Sequence, residues 1–422
     1  MPRFEELAAK RQKWVDSSRE NDFRDGIADL LVHQYSTKAH FIFELLQNAD
    51  DAEAEEAVLI LEEDKLVFTH DGKKLFNDDN VESITSIGKS TKEFTDIGKH
   101  GIGFKSVFAF THAPRIHSGE KHFDIIDVVV PMRVSLEDIP EDLKPNETRI
   151  FLPFDSVDIS DSRRFRKLIF ADEAVRDISV ALTKLNARIL IFLRHVKKIR
   201  WVAPNGASGI LLRDPPKVIT ENANYVDIVD DSGAENWIVF ERKLKIDDES
   251  KLHEVSVKVA FLIHEGKVRR AQNTELVVYL PTEKKTGLGF LVHGPFKTTK
   301  ARDNIANPNE DKANRELINV AALLAADSLE ILRDLGLLAV ESYNALPLRL
   351  ADIGWPFCPF YDVIHLAMKT KKLLPPHDGD YVYASQAKLA RGKELADVFA
   401  PDQLGSLFEK EKLFWIDTVI SG

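Results

Sequence analysis

The chain has 422 residues, of which 44% are hydrophobic and 30% charged, and a formal net charge of −11, the balance expected of a soluble globular protein with room for two or three domains. No run of about 18 apolar residues is present, so a membrane-spanning helix is not expected, and the opening "MPRFEELAAKRQKW" lacks the apolar core of a secretory signal. The single cysteine, Cys358, excludes an intrachain disulfide and a cysteine-cluster zinc site and fits a reducing cytoplasm, while the acidic balance disfavours broad nucleic-acid binding and leaves only local basic clusters such as "HVKKIR", "KVRR" and "KTKK".

In chain order, residues 3–50 predict mostly helix with one break at "SSREND". "AVLILEEDKLVFTHDG" (57–72) predicts two strands joined by a charged turn. A polar, glycine-bearing stretch follows, "SIGKSTKEFTDIGKHGIGFKSVFAF", and then strand-like runs at "HFDIIDVVVP" and "TRIFLPF". The polar segment "DSVDISDSRRFR" marks a boundary. Helix is expected over 166–195, and short strand-like runs recur from 196 to 296, among them "NWIVFERKL", "HEVSVKVAFLIH" and "ELVVYLP". A long helix fits 311–335, with Leu317, Val320, Leu323 and Leu324 on its apolar side. Residues 346–422 are richer in proline and aromatic side chains and read as a small third unit.

Three stretches carry chemistry. In "FELLQNADDA" (43–52), helical spacing sets Glu44, Asn48 and Asp51 in one polar stripe beside the apolar Phe41, Ile42, Leu45 and Leu46. Taken alone, the stripe fits either a solvated face of an amphipathic helix or a row of metal and water ligands facing a pocket. In "GKHGIGFKS" (98–106), three closely spaced glycines let backbone amides approach a phosphate, "FKSVFAF" reads as a helix start, and Lys105 adds a positive charge. The P-loop pattern fails because Phe104 separates Gly103 from Lys105, and the dinucleotide pattern fails on glycine order. In "THDGKKLFNDDNVESI" (69–84), a strand ends in His-Asp-Gly. Asp71 there fits either a plain hairpin turn or an acceptor for an exocyclic amine in a pocket.

In this order, these elements resemble the GHKL ATPases, the superfamily of gyrase, the large heat-shock chaperones, histidine kinases and MutL, over residues 40–154. "ELLQNADDA" is similar to that superfamily's helix motif, "HDG" to its adenine-reading Asp-Gly motif, "IGKHGIGFKSVF" to its glycine-rich lid motif, and "ETRIFLPF" (147–154) to the later strand whose threonine helps hold adenine. The second glycine motif is shortened here to "DGKKL". "QNADDAEA", "SIGKSTK", "GKHGIGFKSVF" and the distal "LPTEKKTGLGFLVHGPFKTTKARDNI" together resemble the sacsin and No-vein type of ATPase, which shares this shortening, with specificity decreasing along residues 1–340. The chain's last residues, "FWIDTVISG", do not look like a natural domain end, and a longer native protein is expected.

The resemblance implies an α/β architecture: a Bergerat-fold two-layer α/β sandwich over 1–165, an α+β transducer-like domain over 166–345 and a small C-terminal unit over 346–422. It implies Mg²⁺-dependent ATP binding and hydrolysis. Glu44 would be the general base, Asn48 the Mg²⁺ ligand, and Asp71 with Gly72 the adenine reader supported by Asp51 and Thr148. Gly98, Gly101, Ile102, Gly103, Phe104 and Lys105 would cradle the phosphates, with Ser90, Thr91 and Lys92 in a lid and Arg302 and Lys300 completing the site from the second domain. The implied output is a conformational switch, with ATP-dependent homodimerisation, that is chaperone-like or gates an effector domain or partner protein; an anti-phage defence role rests on analogy. A nucleotide-binding scaffold with little hydrolysis and a DNA-engaging MutL- or Morc-like ATPase are the alternatives.

Overall fold

The computed structural model describes residues 2–21, 40–86, 103–159, 165–248, 251–299, 304–377, 379–389, 398–410 and 412–416. The chain is mixed α/β and divides into two compact units. The first falls within Met1–Asp214 and Ile228–Ala234, the second within Pro215–Asp227, Glu235–Thr299 and Asn304–Gly422.

In the first unit, helix α1 (Pro2–Glu20) is followed by α2 (Phe41–Asp51), strands β1 (Glu56–Leu61) and β2 (Lys65–His70), and the short α3 (Asp78–Ile84). A 3₁₀ segment, Gly103–Ala109, leads to β3 (Arg115–Ser118), β4 (Lys121–Ile126), β5 (Val130–Arg133) and β6 (Thr148–Pro153). Then come α4 (Ala171–Thr183), a second 3₁₀ segment (Ala187–Ile191), β7 (Lys198–Val202) and β8 (Ser208–Arg213). These strands form one sheet in the order β8-β7-β1-β2-β6-β3-β4-β5. β1 and β7 run parallel, and the β1-β2, β2-β6 and β3-β6 pairs are antiparallel.

Strand alternation explains the sheet's two faces. On the buried face, cross-strand register gives three rows: Leu61, Leu66 and Leu152; then Leu59, Phe68, Ile150 and Ile116; then Ala57, His70, Thr148 and Ser118. All eleven are buried. Two rows are apolar and the last is polar. The other face is more open, with Ile60, Val202, Ile210 and Leu212 exposed.

Helix α2 buries Phe41, Ile42, Leu45, Leu46 and Ala49, and Phe41 packs on Phe110 at 5.4 Å between ring centroids. Its last turn closes as a Schellman motif: Ala54 N–H donates to Ala49 O and Glu53 N–H to Asp50 O, with Glu53 at φ 60. The Asp50 side chain is buried and accepts three backbone amides, from Arg194 (3.0 Å), His195 (2.7 Å) and Val196 (2.9 Å). Arg213 meets the same segment through its carbonyls, donating to Leu190 O (2.8 Å), Leu193 O and Val196 O (3.2 Å). A second buried carboxylate, Asp155, accepts from Arg166 (2.6 Å) and the Ile169 amide (2.7 Å) and contacts His112 Nδ1 (2.6 Å). Burial alone would raise the Asp155 carboxyl, but His112 and Arg166 outweigh it and hold it below its ordinary value. The polar stretch expected to be a boundary thus supplies two buried partners, Asp155 and Arg166.

The segment expected to begin a helix after the glycines is instead the 3₁₀ run Gly103–Ala109, buried from Phe104 onward. Lys105 is fully buried, and its ammonium donates to Ile84 O (2.7 Å) and Val128 O. Burial pushes its pKa down from 10.5 to about 7.

In the second unit, β9 (Lys217–Thr220) and the first residues of β10 (Ala223–Asp230) pair antiparallel. The long strands β11 (Gly233–Asp248) and β12 (Lys251–His264) form an antiparallel hairpin. β13 (Lys267–Arg269) and β16 (Leu291–His293) pair with β12, and β14 (Glu275–Val278) pairs with β15 (Leu280–Lys285) and with β16. The single run expected at "ELVVYLP" is split at Tyr279, which has φ 64. Helix α5 (Lys312–Asp334) matches the long helix expected at 311–335 and packs with α6 (Cys358–Thr370). Around them Phe261, Phe290 and Phe360 stack in sequence at 4.7 and 5.9 Å. β17 (Ala387–Leu389), α7 (Pro401–Leu407) and β18 (Phe414–Ile416) complete this unit. Asn314, buried at the start of α5, accepts from Lys297 N and donates to Lys297 O and Ala306 O. It ties Lys297 to Ala306, next to the antiparallel Thr298–Ile305 bridge.

Two stability predictions follow from this packing. Asp50→Ala leaves three buried amides without an acceptor and Arg213 without its counter-charge. It should cost about 3 kcal/mol or more, whereas Arg3→Ala, which removes exposed pairs to Asp79 and Glu82, should stay within about 0.5 kcal/mol. Equal shifts of the urea midpoint in the two variants would contradict the anchoring role of Asp50. For Lys105, the unfolded chain binds a proton between pH 7 and 10.5 that the folded chain has released, so stability should rise with pH across that window, by up to about 1.4 kcal/mol per pH unit. Lys105→Met should flatten this rise, and an unchanged slope in denaturation at pH 7 to 10 would refute the assignment.

Candidate functional site

The polar stripe of α2 is only partly solvated. Glu44 is buried, and Asn48 and Asp51 are half-buried. Glu44 Oε1 lies 3.8 Å from His40 Nε2, one helical turn earlier. The end of the glycine-rich stretch sits directly on this carboxylate: a Cβ placed on Gly103 would fall 2.0 Å from Glu44 Oε2. Only a residue without a side chain permits that approach. The fold therefore brings together two of the sequence elements singled out above, the helix motif and the glycine motif.

The C-terminal end of α2 meets the third element. A Cβ on Gly72 would fall 2.8 Å from both Ala52 Cβ and His70 Nδ1, and Lys74 N–H donates to Ala52 O (3.1 Å). From Glu44 to Ala52 the helix rises about 12 Å. One helix thus links the bare backbone at Gly103 to the polar row at the ends of β2, β6 and β3. In that row Ser118 Oγ and Thr148 Oγ1 are 2.6 Å apart, and Phe76 N–H donates to Ser118 Oγ at 3.0 Å. Thr148 is fully buried beside His70, its register partner.

Two expected site residues are placed differently from their expected roles. Asp71 is exposed, and its Oδ1 accepts the amides of Glu55 (2.8 Å) and Glu56 (2.9 Å), so its carboxylate closes the turn into β1. The residue that faces inward is its neighbour His70. Lys105 gives its ammonium to the carbonyls of Ile84 and Val128, because a buried cation needs acceptors and these two supply them. Phe104 is buried beside Gly103. Ser90, Thr91, Lys92, Gly98, Gly101, Ile102, Lys300 and Arg302 lie outside the described residues.

Sequence reasoning missed His70, Ser118 and Asp50. For His70 the signal was present: alternation in "LVFTHD" sets Leu66, Phe68 and His70 on one side and Val67, Thr69 and Asp71 on the other. For Ser118 the signal lies in register, which a single strand does not carry. Asp50 sits beside the expected Asp51, and helical position alone does not say which of two adjacent carboxylates meets a distant loop.

Residues 21–137 match the family model described as Sacsin domain. Protein NO VEIN of Arabidopsis thaliana is 31% identical over 300 residues, covering 64% of this chain and 10% of that protein. Sacsin of Homo sapiens is 24% identical over 226 residues, covering 43% of this chain and 5% of that protein. The chain therefore matches only a small part of the length of either relative. A solved structure titled "Crystal Structure of N terminal domain of a DNA repair protein" aligns with 72% of this chain and 98% of its own at 13% identity and a TM-score of 0.37, a likeness too distant to bear on fold or function. The family match and the two relatives support kinship with a sacsin- and NO VEIN-like family.

Proposed function

We propose that the first unit binds ATP with Mg²⁺ in a GHKL-type, Bergerat-fold site and hydrolyses it to drive a conformational switch. The observation that carries this reading is the contact between Gly103 and the Glu44 carboxylate. A buried carboxylate against bare backbone is suited to take a proton from a water that the same backbone orients. Glu44 is the general base. Asn48, one turn further along α2, would hold Mg²⁺, a metal that takes few protein oxygens and keeps nucleotide and water oxygens as its other ligands. The polar row of His70, Thr148 and Ser118 takes the base. Positioning and charge neutralisation carry most of phosphoryl transfer, so a site set out along one rigid helix suits it. Lys300 and Arg302, in "KTTKARDNI", are the proposed basic groups that complete the site. The output of the switch is ATP-dependent pairing of two copies of the chain.

Turnover and nucleotide affinity measured on the same preparation test this reading. Glu44→Ala should lower turnover by about 10²–10⁴-fold and leave ATP binding in magnesium buffer largely intact. Absence of ATP binding by the wild-type chain in calorimetry would overturn the proposal, and unchanged turnover in Glu44→Ala would remove Glu44 from it. Gly103→Ala offers a second check. Its methyl must displace the Glu44 carboxylate, the far end of a flexible side chain, so the fold should survive while turnover falls about as far as in Glu44→Ala. Wild-type turnover in Gly103→Ala would mean that this contact has no part in catalysis.

A further inference from the structure

On the reading that the first unit holds a nucleotide, the structure assigns the base-reading role at the end of β2 to His70, which presents a hydrogen-bond donor and so recognises a purine through an acceptor atom rather than through its exocyclic amine. The polarity follows from one contact. The Gly72 amide can only donate, and it donates to His70 Nδ1 at 3.1 Å. Nδ1 must therefore carry its lone pair, and the imidazole proton resides on Nε2. Burial favours the neutral ring and pushes its pKa down to about 4, so this tautomer holds at neutral pH.

The Nε2–H is an available group. His70 is 5% exposed, and no hydrogen bond from Nε2 exists among the described residues. The ring is buried as a whole, but Nε2 is not among the buried side-chain nitrogens without a partner, so it is open to solvent and an acceptor on a ligand can take the place of water there. It lies in the row with Thr148, its register partner, and Ser118, so it faces the same side as two hydroxyls. Asp71 cannot supply the alternative, an acceptor for an amine, from its present position: it is exposed and its Oδ1 is engaged by two backbone amides. Gly72 packs so tightly against Ala52 and His70 that the turn is held in this arrangement.

An N–H donor selects a lone pair. On adenine that is ring N1, and on a 6-oxo purine it is the oxygen at position 6. The 6-amino group contributes little to such a contact. The site should therefore tolerate loss of the amine and be sensitive to loss of N1, the reverse of what a carboxylate reader gives.

Competition binding to the wild-type chain in magnesium buffer tests this with ATP, purine riboside triphosphate (no amine, N1 kept), 1-deaza-ATP (amine kept, N1 replaced by C–H) and inosine triphosphate. Purine riboside triphosphate and inosine triphosphate should bind within about threefold of ATP, and 1-deaza-ATP about tenfold more weakly, since it displaces water from the donor and sets a C–H there in place of an acceptor. His70→Asp should reverse the order, making purine riboside triphosphate the weak ligand. Weaker binding of purine riboside triphosphate than of 1-deaza-ATP by the wild-type chain would overturn the inference, as would equal affinities for all four ligands. Loss of ATP binding in Asp71→Asn, with wild-type binding in His70→Leu, would overturn it too. If none of the triphosphates binds, the nucleotide reading itself falls and this inference falls with it. If they bind without regard to N1, only the role of His70 is lost.

Discussion

The Asp50 carboxylate, taking the amides of Arg194, His195 and Val196, is the contact on which the first unit's geometry depends. Hydrogen bonds to a charged acceptor are about twice as strong as neutral ones, and three of them converge on one side chain that is shut off from water. They fix the far end of α2 to the segment that feeds β7, and β7 runs parallel to β1, the strand that follows α2. Arg213 binds the carbonyls of the same segment from β8. A loop that would otherwise bury unsatisfied backbone groups is thus satisfied on both its donors and its acceptors. The helix cannot shift along its axis without giving up this set.

That constraint turns α2 into a ruler. Its two buried carboxylates differ in their neighbours. Asp50 is saturated by amides, while Glu44 faces the bare backbone of Gly103 and a histidine 3.8 Å away. The first arrangement suits structure, because its lone pairs are committed. The second sets a carboxylate against bare backbone, the contact on which the proposed proton transfer rests. Residues one and two turns along the same helix then occupy fixed stations between the glycine contact and the polar row of the sheet.

Much of this was legible in the sequence, and the parts that were not share a physical cause. Strand pairs such as β1-β2 and the long α5 follow from period and punctuation, which are local properties. The meeting of Glu44 and Gly103 was legible only through the resemblance, since nothing local joins residues so far apart in the chain. The "HDG" motif points to Asp71 through the resemblance, although strand alternation already puts His70 on the buried side with Phe68 and Leu66. Lys105 was given to a phosphate because of its charge. Its burial among Val107, Phe108 and Phe110 was foreshadowed by the apolar run "FKSVFAF", in which a lysine must find its acceptors inside.

Lys105 also explains how the glycine-bearing stretch is attached. Its ammonium holds Ile84 O at the end of α3, while its own residue lies in the buried 3₁₀ run. Arg11 from α1 adds a bond to Ser86 Oγ at 2.6 Å, on the same side of the stretch. Ile84, Lys105 and Val128 are therefore fastened together by the buried lysine and its two carbonyls. Gly103, two residues before this lysine, stands directly beside the Glu44 carboxylate. The same lysine charge that looked like a ligand for phosphate thus acts one step earlier, by setting where Gly103 lies and how closely backbone can approach the acid it covers.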